Sequence, residues 1–171
     1  MSGTINQMQV VYVAEQDRIL FRVSSTDSQE FRFWLTQRYT NLLLKVLADH
    51  ENADPDISTQ DTVEAKRAVK NFKQEKAISE ANFSKPFAAQ PSELPLGNEV
   101  LLAYRLTFNL QAKNLHLGIQ PKEGQGINMV INRQINTSLV KLLLAAADKG
   151  QWNVAQSLEK NQIAGQQPTI N

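Results

Sequence analysis

Three observations on this chain predict an α+β fold. The segments 8–14 and 19–25 are rich in Val, Ile, Phe and Tyr, and 19–25 and 99–111 also show the period-two pattern of half-buried strands. The stretch 26–49, and a second one opened by Asn136, instead carry apolar residues at helical spacing. The middle of the chain is polar and interrupted by proline. The expected architecture is a mainly antiparallel sheet of about five strands, a two-strand hairpin plus a three-strand meander, with two core helices on one face and a third, peripheral helix.

Taken in order, 8–14 and 19–25 flank the short polar run Glu15, Gln16, Asp17, Arg18 and should pair as a hairpin. Ile19, Phe21 and Val23 fall on one face, and Leu20, Arg22 and Ser24 on the other, so Arg22 should meet water or a ligand. In the expected central helix over 26–49, Phe31, Trp34, Leu35, Leu42, Leu43 and Val46 form the stripe. Asp27 serves as its cap and Glu30 reaches back to complete a capping box. Both carboxylates suit the positive end of the helix dipole. Phe33 and Leu44 lie off the stripe, and Arg32, Arg38 and Lys45 remain for the wet side.

The residues 50–60 are polar and contain Pro55, which predicts a loop. A second helix over about 61–81 has the thin stripe Ala65, Val69 and Phe72, with Lys66, Lys70 and Lys73 on another side. Such a helix gains little from burial and suits a lid or a partner-binding element. Pro86, Pro91, Pro95 and Gly97 make 83–98 an extended crossing, pinned by Phe83, Phe87, Leu94 and Leu96.

The residues 99–111 read as one strand, with Val100, Leu102, Tyr104, Leu106, Phe108 and Leu110 toward the core. Leu115, Leu117 and Ile119, then Ile127, Met129 and Ile131, complete a meander around the turn at 121–126. Asn136 is the expected cap of the last helix, whose stripe is Leu139, Leu142, Leu143 and Ala146, with Gly150 as a left-handed stop. Thr40 with Thr137, Leu42 with Leu139 and Leu47 with Leu144 give a faint internal echo, too weak to demonstrate a duplication.

Composition bounds the function. The 171 residues, 42% hydrophobic and 20% charged, are ordinary for one globular domain. One domain is expected over 1–153, with a helical insertion at about 61–82, followed by a disordered tail over 154–171. The formal net charge of +1 supplies no global field to draw the chain onto nucleic acid or an anionic membrane. The chain has no cysteine, which removes disulfides, thiolate metal sites and cysteine nucleophiles together. No basic cluster followed by an apolar run opens the chain, and no segment approaches the roughly 18 apolar residues of a membrane helix. A soluble, cytoplasmic protein without membrane contact is expected.

Chemistry is sparse. His50 and His116 lack partners at metal-ligand spacing and read as ordinary surface or strand residues. A nucleophile elbow, a phosphate loop and a dinucleotide fingerprint are missing. Gly124 and Gly126 form a Gly-x-Gly between two strands, which reads as a hairpin turn rather than an anion site. Asp54, Asp56 and Asp61 lack calcium-loop spacing and read as a solvated loop. The basic stripe Lys66, Lys70, Lys73, flanked by Arg67 and Lys76 and diluted by Glu64, Glu75 and Glu80, reads as a solvated face ahead of a site for phosphates or an acidic partner.

The strand phases place Arg22, Arg105, Thr107, Asn109, His116, Gln120 and Asn128 opposite the core, as a candidate binding face. The run 18–39, a strand leading to a helix that opens Glu30, Phe31, Arg32, loosely resembles the strand-to-helix passage of PUR-type single-stranded nucleic-acid-binding repeats. Those repeats place four strands before the helix, where two are expected here. The resemblance implies single-stranded nucleic acid as a ligand, and on the candidate face read from the strand phases Arg22 and Arg105 would contact its phosphates while amide side chains contact bases. The residues themselves rank a non-catalytic binding or scaffold protein first, acting on a protein partner or on itself. A weak nucleic-acid module comes second and an enzyme third, with no cofactor or metal expected.

Overall fold

A computed structural model describes residues 3–88, 93–111 and 113–154. Among these residues the fold is α+β, with two sheets and four α-helices. In the first sheet β1 (Ile5–Val13), β2 (Arg18–Ser25) and β3 (Glu30–Leu35) pair antiparallel, and the short β4 (Leu101–Leu102) lies parallel to β3. The second sheet is the antiparallel meander of β5 (Arg105–Leu110), β6 (Leu115–Gln120) and β7 (Ile127–Ile131). The helices are α1 (Gln37–Asn52), α2 (Pro55–Ser58), α3 (Val63–Glu80) and α4 (Arg133–Lys149). The expected single sheet of about five strands is thereby corrected to a four-stranded mixed sheet and a three-stranded antiparallel one.

The expected helix over 26–49 is two elements. Phe31, Phe33 and Leu35 alternate inward at 4%, 0% and 0% exposure, while Arg32 and Trp34 point to the half-buried outer face. The apolar residues of 31–35 fit a helical stripe as well as a strand. Aromatic side chains suited to a pleated surface, and the pairing partner that β2 offers, decide for the strand. Asp27 belongs to the β2–β3 turn, in which Ser28 adopts φ 60°, and caps no helix. The buried Glu30 carboxylate instead holds Arg22 at 2.9 Å and Arg32 at 3.0 Å. The helix begins after Thr36, whose hydroxyl accepts from the Tyr39 N–H at 3.2 Å. That start turns Tyr39, Leu43, Leu44 and Leu47 inward and leaves Leu42 43% exposed.

The expected strand over 99–111 is also divided. The Ala103 N–H donates to Trp34 O in the first sheet, and the next amide, of Tyr104, donates to Gln120 O in the second. Successive amides thus serve different sheets, and the chain changes sheet at this point. Alternation survives the crossing, so the sequence pattern conceals it.

In place of the loop expected over 50–60, α1 runs on to Asn52 and α2 comes next, with Asp54 as cap and Pro55 at its first position, where a missing N–H costs nothing. Helix α3 is capped by Thr62 and has no buried residue; Phe72, expected on its inward stripe, is 68% exposed. At the other end, Asn132 and not Asn136 caps α4, its Oδ1 accepting from the Ile135 N–H at 2.9 Å. Gly150 is right-handed (φ −80°), so it is no left-handed stop. Its place is set by packing, because a Cβ there would lie 2.8 Å from the Tyr12 ring. Val154, assigned by sequence to a disordered tail, is buried, and 155–171 lie outside the described residues.

The order of three strands and a helix occurs twice, as β1-β2-β3-α1 and β5-β6-β7-α4. Ile19, Phe21 and Val23 of β2 correspond to Leu115, Leu117 and Ile119 of β6, all at most 1% exposed. Phe31, Phe33 and Leu35 correspond to Ile127, Met129 and Ile131, the caps Thr36 and Asn132 come next, and Leu43 and Leu47 match Leu139 and Leu143. The spacing is constant throughout and one residue shorter than the echo seen in the sequence. Buried residues of both halves form one hydrophobic cluster, in which α4 packs on β1 and α1 on β5.

Candidate functional site: the open three-stranded sheet

On β5, β6 and β7 the inward residues and the outward residues separate cleanly by register. Arg105 stands opposite Gln120, Thr107 opposite Gly118, and Asn109 opposite His116. Across the next ladder Gly118 meets Asn128 and His116 meets Val130. Six of the candidate residues, Arg105, Thr107, Asn109, His116, Gln120 and Asn128, therefore share one face, and all but the half-buried Gln120 are exposed. Gly118 sits in their midst. A Cβ there would lie 2.2 Å from Thr107 Oγ1 and 2.8 Å from Asn128 Oδ1, so both polar side chains lean over bare backbone. The hollow above this row has a volume of about 330 Å³.

Arg22 does not belong to this face. It lies in the other sheet, donates to Glu30 Oε1 and Gln9 Oε1 at 2.9 Å each, and stacks 4.2 Å over the Phe87 ring. The alternation that points it outward is right in phase, but phase carries no information about which sheet a strand joins. Among the strand residues of the open face, Arg105 is the one cation. The face is otherwise built of neutral hydrogen-bonding groups, suited to contact and not to acid–base work.

The edge of the same sheet is apolar. Phe108 is 53% exposed and Leu110 40%, although both fall on the inward side by alternation. Among the described residues β5 pairs with β6 alone, so its outer edge is unpaired. The Gln111 N–H donates to Asn114 O at the hairpin end. Alternation from that bond turns the N–H and C=O groups of Leu106, Phe108 and Leu110 away from β6. This edge carries no proline, lysine or acid between Leu106 and Leu110, the residues that commonly blunt one.

The basic stripe is split by its partners. Lys70 binds Glu51 at 3.1 Å, and Lys73 binds Asp54 at 2.7 Å and also Asp56, while Lys66 stays exposed. Asp54 is therefore a buried, paired carboxylate and not part of a solvated loop. Burial alone would raise its pKa, but hydrogen bonds from Lys73 and the Asp56 N–H, with the charges of Lys73 and Arg133, hold it below the usual range. Burial alone would lower the Lys73 pKa, but the Asp54 and Asp56 carboxylates raise it. Lys70 and Lys73 thus tie α3 to the end of α1 and to α2, and of the stripe Lys66 alone is left as an exposed charge.

His50 is fully buried, against its reading as a surface or strand residue. The Asn136 amide donates to Leu47 O at 2.9 Å and to His50 Nδ1 at 2.7 Å, which leaves the imidazole proton on Nε2, 3.4 Å from Lys113 O. Burial and then the Arg133 guanidinium lower the His50 pKa, against the Lys113 carbonyl and the Asp54 and Glu51 carboxylates. Arg133 donates to the carbonyls of His50 and Glu51, placing a cation at the negative end of α1. A cleft of about 280 Å³ between α3 and α4 opens beside this cluster, lined by Ile57, Phe72 and the already paired Lys73. The cluster joins the two halves and offers no nucleophile.

Among the described residues no three His, Cys, Asp or Glu side chains come together as metal ligands. No helix of the described residues is long and apolar enough to cross a membrane. Comparison with protein-family models, curated proteins and solved structures returned no match. The sequence missed Gly118 and the exposed edge. A glycine inside an alternating strand was the available sign of the first, whereas nothing in the pattern of β5 distinguishes an edge strand from a central one.

Proposed function

We propose that this chain is a non-catalytic interaction protein that contacts a protein partner along the free edge of β5. The observation that carries the reading is the pairing of exposed apolar side chains, Phe108 and Leu110, with outward backbone groups on an unblunted strand. Strand addition draws affinity from such main-chain groups and specificity from alternate side chains. The absence of cysteine suits a reducing compartment, and the proposal places the protein in the cytoplasm.

A photoreactive residue at position 110 tests it, with position 63 on the exposed start of α3 as the control. Polypeptide adducts from 110 and none from 63, in cells that express the chain, are expected. Equal yields at both, or none at 110, would overturn the reading.

The polar face favours a second reading, a weak contact with single-stranded nucleic acid, because Thr107, Asn109, His116 and Asn128 present exposed hydrogen-bonding side chains beside Arg105. Against it stand a single face cation and the lack of aromatic side chains on that face, on which such binding normally relies. An oligonucleotide titration at low and high salt, with Arg105→Ala, separates the two.

A further inference from the structure

Resting on the reading of β5 as a contact edge, we infer that its partner is a second copy of this chain, paired antiparallel about a two-fold axis at Phe108. The hydrogen-bonding phase selects that register. With the groups of Leu106, Phe108 and Leu110 facing outward, an axis at Phe108 lets each of these residues exchange N–H···O bonds with the other copy, Phe108 with itself and Leu106 with Leu110. An axis at Thr107 would draw on Tyr104 O, at the irregular point where the chain changes sheet.

Side chains agree with the same register. Residues directly opposite lie on one face of a sheet. The exposed Phe108 meets its own copy and Leu110 meets Leu106, so the apolar groups cover one another. On the other face Thr107 meets Asn109 and Arg105 meets Gln111, so polar groups oppose polar groups and the guanidinium faces an amide instead of a second cation. A net charge of +1 adds little repulsion between copies. The product is one continuous six-stranded sheet, with the hollows over the two Gly118 residues on a shared polar face. One strand per copy is a small interface beside the standard about 1,600 Å², so the dimer should dissociate on dilution.

The chain's lack of cysteine makes the register testable. Thr107 and Asn109 of opposite copies form a non-hydrogen-bonded pair, whose short Cα separation suits a disulfide. Under mild oxidation, a mixture of Thr107→Cys and Asn109→Cys chains should give a covalent dimer, with at least tenfold less from either chain alone. Sedimentation equilibrium of the natural chain should show reversible dimers, and Phe108→Asp should abolish them with the circular dichroism spectrum unchanged. A monomer at every concentration, or equal cross-linking of Thr107→Cys with itself, would overturn the inference. A monomer that still gives adducts from position 110 with other polypeptides would overturn the second copy while leaving the contact edge standing.

Discussion

The two strands β1 and β5 occupy equivalent places, each first in its half and each paired with a strand whose inward residues are fully buried. Their outcomes differ. On β1, Met8, Val10 and Tyr12 all pack against the core, whereas on β5 only Leu106 does and Phe108 and Leu110 stay open. The path of the chain beyond each helix accounts for the difference. After α4 the chain folds back, and Trp152 meets the Tyr12 ring edge-on at 5.7 Å, with Val154 buried nearby. After α1 the chain leaves for α2 and α3, which are held by Asp54, Lys70 and Lys73. The insertion thus removes from the second half the segment that seals the first, and an exposed edge is the result.

The largest expected effects fall where the halves agree. Phe33→Ala and Met129→Ala occupy equivalent buried positions and should cost about 3–5 and about 2–5 kcal/mol in denaturant unfolding, the range of emptied core sites. A loss under about 0.5 kcal/mol at either, the range of surface changes, would break the equivalence of the halves.

Trp152→Ala should cost about 3 kcal/mol by opening the cover of β1. Phe108→Ala, measured on dilute protein, should cost less than about 1 kcal/mol, because half of its surface is already in water. Similar costs at the two positions would mean that both edges are sealed.

Gly118→Ala should destabilise by about 1–3 kcal/mol, since the new methyl meets Thr107 Oγ1. Thr107→Ala in the same chain should recover part of that loss. Additive losses from the two changes would show that the crowding lies elsewhere.

Thr36→Ala and Asn132→Ala remove equivalent caps and should each cost about 1 kcal/mol. An effect at one and none at the other would sharpen the comparison by showing which junction is held by its neighbours.

The smallest effect is a pH dependence confined to the joint between the halves. His50 binds its proton more weakly in the fold than in the unfolded chain. Stability should therefore be level above the unfolded value of about 6.5 and decline as pH falls below it, because protons then favour the unfolded state. His50→Gln should flatten the decline below about pH 6.5. An unchanged slope would assign it to another group.

Much of the fold is legible in the sequence, and the failures have physical causes. The hairpin and the meander are announced by strand-forming residues and alternation, and α3 by its helical spacing. Six of the seven candidate face residues come together because register within one meander is fixed by alternation. Arg22 is the exception because alternation says nothing about which sheet a strand joins. The run 30–35 reads as helix because Phe31, Trp34 and Leu35 lie at helical spacing while Phe31, Phe33 and Leu35 equally satisfy the strand period, and the Thr36 cap lies inside the supposed helix. The buried contact of His50 with Asn136 joins residues far apart in sequence, and no local pattern announces such a pair.

The melting temperatures of Val10→Asp and Phe108→Asp, taken together on dilute protein, test the contrast between the two edges most directly. Val10 and Phe108 pair with the equivalent residues Phe21 and Leu117, so the substitutions place one charge at matched positions. The open edge of β5 predicts a fall of about 10 °C or more for Val10→Asp and almost none for Phe108→Asp. Equal falls would contradict it, because a charge at Phe108 would then have been forced into a sealed core.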